Sequence, residues 1–464
     1  MAGRPGAADA AAGAVRHRGH PDPGHGDPGR GGAQLSHRSP TETAAERPAT
    51  FRSVFAVAEY RPLFGSYVLA TVGDQLARLA LTVLVFQRTG SPLLSALTFA
   101  ISYLPWVVGG PVLAALADRL PRQRVMVVSD LARAALVAAM AVPGMPLPAL
   151  LGLLLLVSVA APPYEAARAA LAADVLTGDR YAVATSVTGI VLQLAQVVGF
   201  LLGGLLVTAL PPSVGLLLNA ATFALSGGWL LVGLRPRPAP LVEAGAAVQS
   251  VWRDTAAGLR LVLGDRRLAV IVALLWIGVL LNNAHEGIGT GLSEELSGGQ
   301  GLVGVVLAVH PAGAVVGMLL VGRFCPPRLR DRLVVPLVLL SVAATAVAGL
   351  AARIPDRGVS TVAFVAALAV AGFATAWTVP LNVAFVAAVP PAARGRAIGI
   401  AMAGISAVQG LGALAAGAAA DVVPAGTVVL VTGLAGLPLV VVPLLALLRT
   451  RAPAGRAVAG PSGT

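Results

Sequence analysis

Two pairs of ionisable residues lie inside stretches that are otherwise almost wholly apolar. Asp74 and Arg78 are four residues apart near the middle of the first such stretch, and His285 and Glu286 follow Asn282 in a later one. A charge in apolar surroundings is costly, so each of these groups needs a partner or a function. Because a carboxyl group in such a place can alternate between charged and neutral forms, Asp74 and Glu286 are candidates for carrying protons.

Each pair also has a simpler interpretation. Residues four apart share one face of a helix, so Asp74 and Arg78 can form a local ion pair that is purely structural. The glycines that follow Glu286 favour local unwinding, but they also fit a stretch that ends early and leaves His285 and Glu286 at the surface. The sequence leaves both alternatives open.

Other polar and aromatic residues in apolar stretches can line a cavity with these two pairs. The candidates are Gln196, Trp377 and Asn382. Such residues also serve helix packing and interhelical hydrogen bonds, which is the alternative. The single cysteine, Cys325, excludes a cysteine metal cluster, and the chain contains no phosphate-binding loop with a lysine. We therefore expect no metal, no cofactor and no catalytic residue.

The elements that must position these residues are membrane helices. Of the 464 residues, 56% are hydrophobic and 12% are charged, against about 25% charged in a soluble domain. From Arg61 onward, apolar stretches of roughly 20 residues recur, which is the length that crosses a bilayer as a helix. The sequence predicts an all-α membrane protein with about twelve transmembrane helices.

The pattern divides the chain into bundles, a linker and tails. We predict a disordered cytoplasmic tail over 1–50, a six-helix bundle over 51–234, a linker with an amphipathic helix over 235–267, a second six-helix bundle over 268–448 and a C-terminal tail over 449–464. One glutamine and two glycines recur at equivalent places in the two bundles: Gln196, Gly199 and Gly204 against Gln409, Gly412 and Gly417. This repeat indicates that the bundles are pseudo-symmetric.

Arginine placement sets the orientation. Nearly all arginines fall in the tails, the linker and alternate loops, whereas the remaining loops hold only Arg88, Arg353 and Arg357. By the positive-inside rule, both termini and the linker are cytoplasmic in a multi-pass protein of the cell membrane. This distribution also explains the net charge of +12 without nucleic acid as a partner.

Several motifs resemble the major facilitator superfamily of transporters. Residues 110–124 are similar to its signature G-x-x-x-D-R-x-G-R-R through Asp118, Arg119, Arg122 and Arg124, with Ala114 and Pro121 in place of two glycines. The segments 129–133 and 163–168 look like the branch of macrolide-efflux and siderophore-exporting members. The residues Gly199, Gly203 and Gly204 are similar to the drug-antiporter signature G-P-x-x-G-G, with Phe200 replacing the proline.

The resemblance implies a secondary transporter that exports a small lipophilic or drug-like molecule, such as an antibiotic or siderophore, driven by the proton gradient. We expect a monomer. An importer working as a facilitator or proton symporter is the first alternative, and a non-transporting receptor or scaffold is the second. The resemblance also implies a gate at the cytoplasmic face that holds the bundles together. Its residues are Asp118, Arg119, Arg122, Arg124, Asp130, Arg133, Glu165 and Arg168. The simpler interpretation is that these arginines only enforce topology.

Topology gives a direct test. In a Cys325→Ser background, a cysteine placed in 235–267 should react with a membrane-impermeant maleimide only from the cytoplasmic side. A cysteine beside Asp356 should react only from outside, because arginine-rich segments stay in the cytoplasm. Labelling of both positions from the same side of sealed vesicles would contradict the number of spans between them.

Overall fold

The computed structural model describes residues 50–108, 120–176, 179–238, 247–297, 299, 301–390 and 393–451. Over these residues the chain is helical with short turns and has no strand, which confirms the all-α prediction. The predicted N-terminal tail up to residue 49, Asp118 and Arg119 of the gate motif, and the C-terminal tail from residue 452 lie outside the described residues.

The helices follow one another in the order expected for a multi-pass bundle. They are α1 (Phe51–Phe55), α2 (Tyr60–Thr89), α3 (Pro92–Val108), α4 (Arg122–Met140), α5 (Leu147–Val159), α6 (Ala161–Val175), α7 (Asp179–Ala209), α8 (Pro212–Gly233), α9 (Ala247–Gly264), α10 (Arg266–Asn282), α11 (Ala284–Gly287), α12 (Gly289–Ser297), α13 (Gly301–Phe324), α14 (Pro327–Ala351), α15 (Arg357–Ala374), α16 (Thr378–Ala388), α17 (Arg394–Ala420) and α18 (Ala425–Arg451). A short 3-10 turn, Thr375–Trp377, joins α15 to α16.

Ten spans among the described residues are long and apolar enough to cross a bilayer. Three of them are interrupted, since α5 with α6, α10 with α11, and α15 with α16 each form one span. Helices α3 and α4 pack in the same bundle but fall short of this criterion. Helix α3 is described only to Val108, which gives it 17 residues. Helix α4 carries Asp130 and Arg133 in its middle, which lowers its hydropathy. With these two helices the order agrees with the predicted number of about twelve.

The two bundles repeat the same packing. In the first, α2 packs on α7 and α8, and α4 packs on α8; in the second, α10 packs on α17 and α18, and α14 packs on α18. The bundles meet through two equivalent pairs of helices, α3 with α17 and α7 with α13. We call the face that carries the connection 235–265 the linker face, and the opposite face, where α2 turns into α3 and α17 into α18, the distal face.

Glycines allow the close approaches behind this symmetry. A Cβ atom at Gly204 of α7 would lie 2.7 Å from the Cα of Gly304 in α13, so the two backbones touch across the bundles. At the equivalent place, a Cβ atom on Gly417 of α17 would lie 3.1 Å from the Cα of Leu93 in α3. Small residues at such crossings let membrane helices gain dispersion contacts along their backbones.

The other repeated glycine packs inside its own bundle. A Cβ atom on Gly199 would lie 2.9 Å from the carbonyl oxygen of Val72 in α2, and one on Gly412 would meet Leu280 of α10. Gly203 lies against Leu79 of α2. The recurring glycines thus have one physical explanation. In α7 and again in α17, one glycine allows close packing within the bundle and the other allows close packing against the opposite bundle.

The predicted linker helix is present as α9 and packs on α10 and α17. Val262 is fully buried, whereas Leu259 and Leu263 remain exposed. Gly258 approaches the backbone of α17 at Arg396. The helix is therefore docked on the second bundle, and the predicted apolar stripe is only partly covered.

The contact between Gly204 and Gly304 predicts a steric effect. Replacing Gly204 by Val should separate α7 from α13 and lower the melting temperature of the purified protein, because overpacking costs about 1–3 kcal/mol. Gly189→Val is the matched control on the same helix, since a Cβ atom there meets nothing within 4 Å. Equal melting temperatures for the two variants would contradict the backbone contact.

Candidate functional site

A cavity of about 240 Å³ lies inside the first bundle. Its wall combines apolar side chains of α4, α5 and α8 with the charged residues Asp74, Arg78, Arg133 and Glu165. Trp106 of α3 adds an aromatic surface. The ionisable residues that the sequence singled out on α2 therefore line this cavity.

The partner of Asp74 is Arg133 of α4, whose Nη2 donates a hydrogen bond to Asp74 Oδ2 at 2.8 Å. The predicted local ion pair between Asp74 and Arg78 is not formed, and that hypothesis is wrong. A shared helix face makes two residues neighbours, but the guanidinium of Arg133 enters from the next helix and lies nearer. The side chain of Arg133 is 6% exposed and that of Asp74 is 33% exposed, since Asp74 borders the cavity.

Arg133 lies between two carboxylates. Its Nη1 is 3.9 Å from Oδ1 of the fully buried Asp130. Ser226 of α8 donates to the other oxygen of Asp130 at 2.5 Å. The guanidinium carbon of Arg133 lies 4.0 Å from the ring centre of Phe223, which adds a cation–π contact. This network joins α2, α4 and α8 in the core of the first bundle.

Arg78 has a different environment. It donates to the hydroxyl of Tyr103 in α3 at 3.2 Å, and its guanidinium lies 5.6 Å from the ring centre of Phe99. The charges of Asp74 and Glu286 both act on it. Helix α11 of the second bundle, which carries Glu286, packs on α3, so a charged group of the second bundle comes near the pair of Arg78 and Tyr103.

The predicted gate residues separate into two places. Asp130 and Arg133 belong to the buried network and not to the linker face. Among the described residues, the partner of Glu165 is Arg168 of its own helix, which donates hydrogen bonds to it at 2.9 and 2.7 Å. Arg168 also stacks on Tyr67, at 4.2 Å from the ring centre.

The start of α4 carries the remaining described gate residues. Arg122 forms an ion pair with Asp174 near the end of α6, and Arg124 is exposed. The contact of Arg122 joins helices of one bundle and not the two bundles. The other two gate residues, Asp118 and Arg119, lie outside the described residues.

The seventh span is broken, as its glycines suggested. Helix α10 ends at Asn282, and two short helices separated at Ile288 continue the span to Ser297. His285 is 3% exposed and Glu286 is half-buried, so the alternative that this pair lies at the surface is wrong. The ring of His285 lies 5.2 Å from that of His310 on α13.

The other cavity candidates do not join the cavity in the first bundle. Asn282 is buried and accepts a hydrogen bond from Ser341 at 2.8 Å. Trp377 is buried, and its indole would meet a Cβ atom placed on Gly278. Asn382 is exposed, and Gln196 contacts Gln193 of the same helix at 3.4 Å. These residues fit packing and hydrogen bonding better than a solute site.

Sequence reasoning missed the uncharged members of the site. Tyr103, Phe223 and Ser226 lie in apolar stretches without a motif, and only the folded helices bring them to the arginines. The spacing of Asp130 and Arg133 on one helix face was a usable signal, because it places two charges at the same depth as Asp74.

Comparison with known proteins identifies the architecture. The sequence profile of the Major Facilitator Superfamily matches residues 63–293 and 286–463. Comparison with curated proteins gives no match.

Solved transporter structures share the fold. The nucleoside transporter NupG is 16% identical, with 83% of this chain and 99% of that chain covered and a TM-score of 0.63. A POT family transporter in complex with a thioalcohol-conjugated peptide is 12% identical, with 84% and 96% covered and a TM-score of 0.65. A bacterial homolog of the human lysosomal transporter Spinster, inward-facing and unoccupied, is 14% identical, with 84% and 95% covered and a TM-score of 0.59.

The charge network makes an ordered prediction about stability. Arg133→Gln should lower the melting temperature more than Asp74→Asn, because it leaves two carboxylates, Asp74 and the buried Asp130, without their cation. The double variant should be more stable than Arg133→Gln alone. Arg88→Gln is the control, since Arg88 donates a hydrogen bond to a backbone oxygen, that of Met145, and not to a buried carboxylate.

Melting of the purified variants in detergent measures this order. If Asp74→Asn and Arg133→Gln lower the melting temperature by equal and additive amounts, the two side chains do not interact as described.

Proposed function

Because the chain belongs to the major facilitator superfamily, it is a membrane transporter and not an enzyme, and we propose that it is a proton-coupled exporter of small lipophilic or drug-like molecules. The proposed mechanism is alternating access, in which the two bundles rock about a central site. The single observation that carries the proposal is that α11, which bears Glu286 of the second bundle, packs on α3 of the first, where the Tyr103 hydroxyl accepts a hydrogen bond from Arg78.

This juxtaposition supports proton coupling through simple electrostatics. A charged Glu286 attracts Arg78 and favours the arrangement in which the bundles bring these residues together. Protonation of Glu286 removes that attraction and favours arrangements in which they separate. A change of about 1.4 kcal/mol between two arrangements alters their ratio tenfold, so one proton is sufficient to bias the cycle.

Glu286 fits this role better than Asp74. Asp74 already makes a charge-assisted hydrogen bond with Arg133 at 2.8 Å. Glu286 has no cation within ion-pair distance among the described residues. It also lies in the broken part of the seventh span, where small backbone changes move its side chain.

The nature of the solute is proposed from the cavity and the sequence. Apolar walls and Trp106 suit a lipophilic body, and the charged residues suit a polar group. The volume of about 240 Å³ is below the roughly 300–1,000 Å³ of pockets for drug-sized ligands, which favours a small solute in this conformation. Export is proposed because the motifs resemble efflux members of the family.

We further propose that the linker face is cytoplasmic and that the protein acts as a monomer in the cell membrane. The arginine distribution supports the orientation. With this orientation, the close contacts between bundles at Gly204 and Gly417 lie toward the outside, which supports a conformation closed on the external side.

Glu286→Gln tests the coupling. The variant should lose uphill efflux driven by a pH gradient in proteoliposomes, because its side chain cannot exchange a proton, yet it should retain solute binding and downhill exchange. Asp74→Asn should reduce both functions, because it also deprives Arg133 of its hydrogen-bonded carboxylate. Lipophilic antibiotics and siderophores are the solutes to be screened.

Glu294→Gln provides the matched control, since Glu294 lies on α12 of the same span and is exposed. It should transport like the unmodified chain. Normal pH-driven accumulation by Glu286→Gln would show that Glu286 is not the coupling site.

A further inference from the structure

One carboxylate connects the two bundles at the distal face. Asp421 follows the last residue of α17 in the second bundle. Its oxygens accept hydrogen bonds from the Ser91 hydroxyl at 3.1 Å each, and Oδ1 accepts one from the backbone N–H of Leu93 at 3.2 Å. Ser91 and Leu93 stand at the beginning of α3 in the first bundle, so Asp421 caps a helix to which it is not joined by sequence.

The first turn of a helix is stabilised by such a contact. Its N–H groups lack partners within the helix, and its dipole presents partial positive charge. Ser91 satisfies one of them, because its hydroxyl oxygen accepts from the N–H of Leu94 at 3.2 Å. The carboxylate of Asp421 accepts from another and adds the negative charge that this end of a helix favours.

Two other aspartates, Asp265 and Asp356, cap helices of their own bundle, in contrast to Asp421. Asp265 accepts from the N–H groups of Arg267 and Leu268, and Asp356 accepts from the N–H of Val359. Each of these aspartates caps the helix that it directly precedes, as expected from sequence. These caps survive any movement between the bundles, whereas the cap by Asp421 exists only while the distal face is closed.

The pseudo-symmetric contact lacks this feature. Where α7 meets α13, the methyl group of Thr208 would lie 2.8 Å from a Cβ atom placed on Gly301. That contact is apolar, so among the described residues it is the junction of α3 with α17 that carries a charge-assisted hydrogen bond between the bundles at this end. The contact of Asp421 with α3 is therefore a feature of one side of the interface and not of its pseudo-symmetric counterpart.

We propose that Asp421 is a gating residue whose capping of α3 across the bundles holds the distal face closed. Opening of that face breaks the hydrogen bonds that the Ser91 hydroxyl and the Leu93 N–H donate to Asp421, and it returns the first turn of α3 to water. The proposal depends on alternation between two conformations, but it needs neither proton coupling nor export, so it can fail while the proposed function holds, and the reverse.

Spin labels on the purified full chain test the proposal. In a Cys325→Ser background, labels at the exposed positions Val142 and Leu350 report the separation of the bundles at the distal face. The distance distribution, measured by pulsed electron resonance, should be mainly short in the labelled parent. Asp421→Ala should increase the ratio of long to short distances about five-fold, the effect of losing one helix cap. Ser91→Ala should act in the same direction with a smaller effect.

Asp356→Ala is the matched control, because it removes an aspartate cap at the same face within one bundle. It should lower the melting temperature without changing the distance distribution. An unchanged distribution in Asp421→Ala would overturn the proposal. An equal shift in Asp356→Ala would also overturn it, because the effect would then follow from general destabilisation. Elution of each variant as a single peak on size exclusion shows that it is folded.

Discussion

The constraint on which this structure depends is that the charge of an arginine in a membrane bundle must be balanced by a nearby carboxylate or hydrogen-bond acceptor. Arg133 meets it by lying between Asp74 and Asp130, and this arrangement fixes how α2, α4 and α8 pack. The first bundle is thereby tied together at its centre. Arg78 has no carboxylate within ion-pair distance among the described residues, so its compensation comes from Tyr103, the cavity and the opposite bundle.

The contacts between the two bundles differ in kind from the contacts within each bundle. Within a bundle, buried charges and large side chains make specific contacts, and breaking them costs much free energy. Between bundles, glycines such as Gly204 and Gly304 bring backbones together with few polar contacts. Surfaces of this kind can separate without leaving buried polar groups unpaired. Rigid halves with a separable interface are what alternating access requires.

Much of the fold could be predicted from the sequence because it follows from hydrophobic length and from repeated glycines. The glutamine and glycine repeat at Gln196 and Gln409 indicated two equivalent halves. The partners of the charged residues could not be predicted in the same way. The spacing of Asp74 and Arg78 suggested a pair within one helix, but the closest cation comes from Arg133, 59 positions away. Contacts between helices depend on rotation about each helix axis, which periodicity alone does not determine. The same reason explains why Asp421 was overlooked.

The central claim is that movement of solute is tied to movement of protons through Glu286. The most direct measurement is the internal pH of proteoliposomes that contain the full chain, followed with an entrapped dye while a transported antibiotic or siderophore is added outside without a pre-existing pH gradient. The account predicts that protons move opposite to the solute and that this movement is absent in Glu286→Gln. Accumulation of solute with no change in internal pH would contradict it.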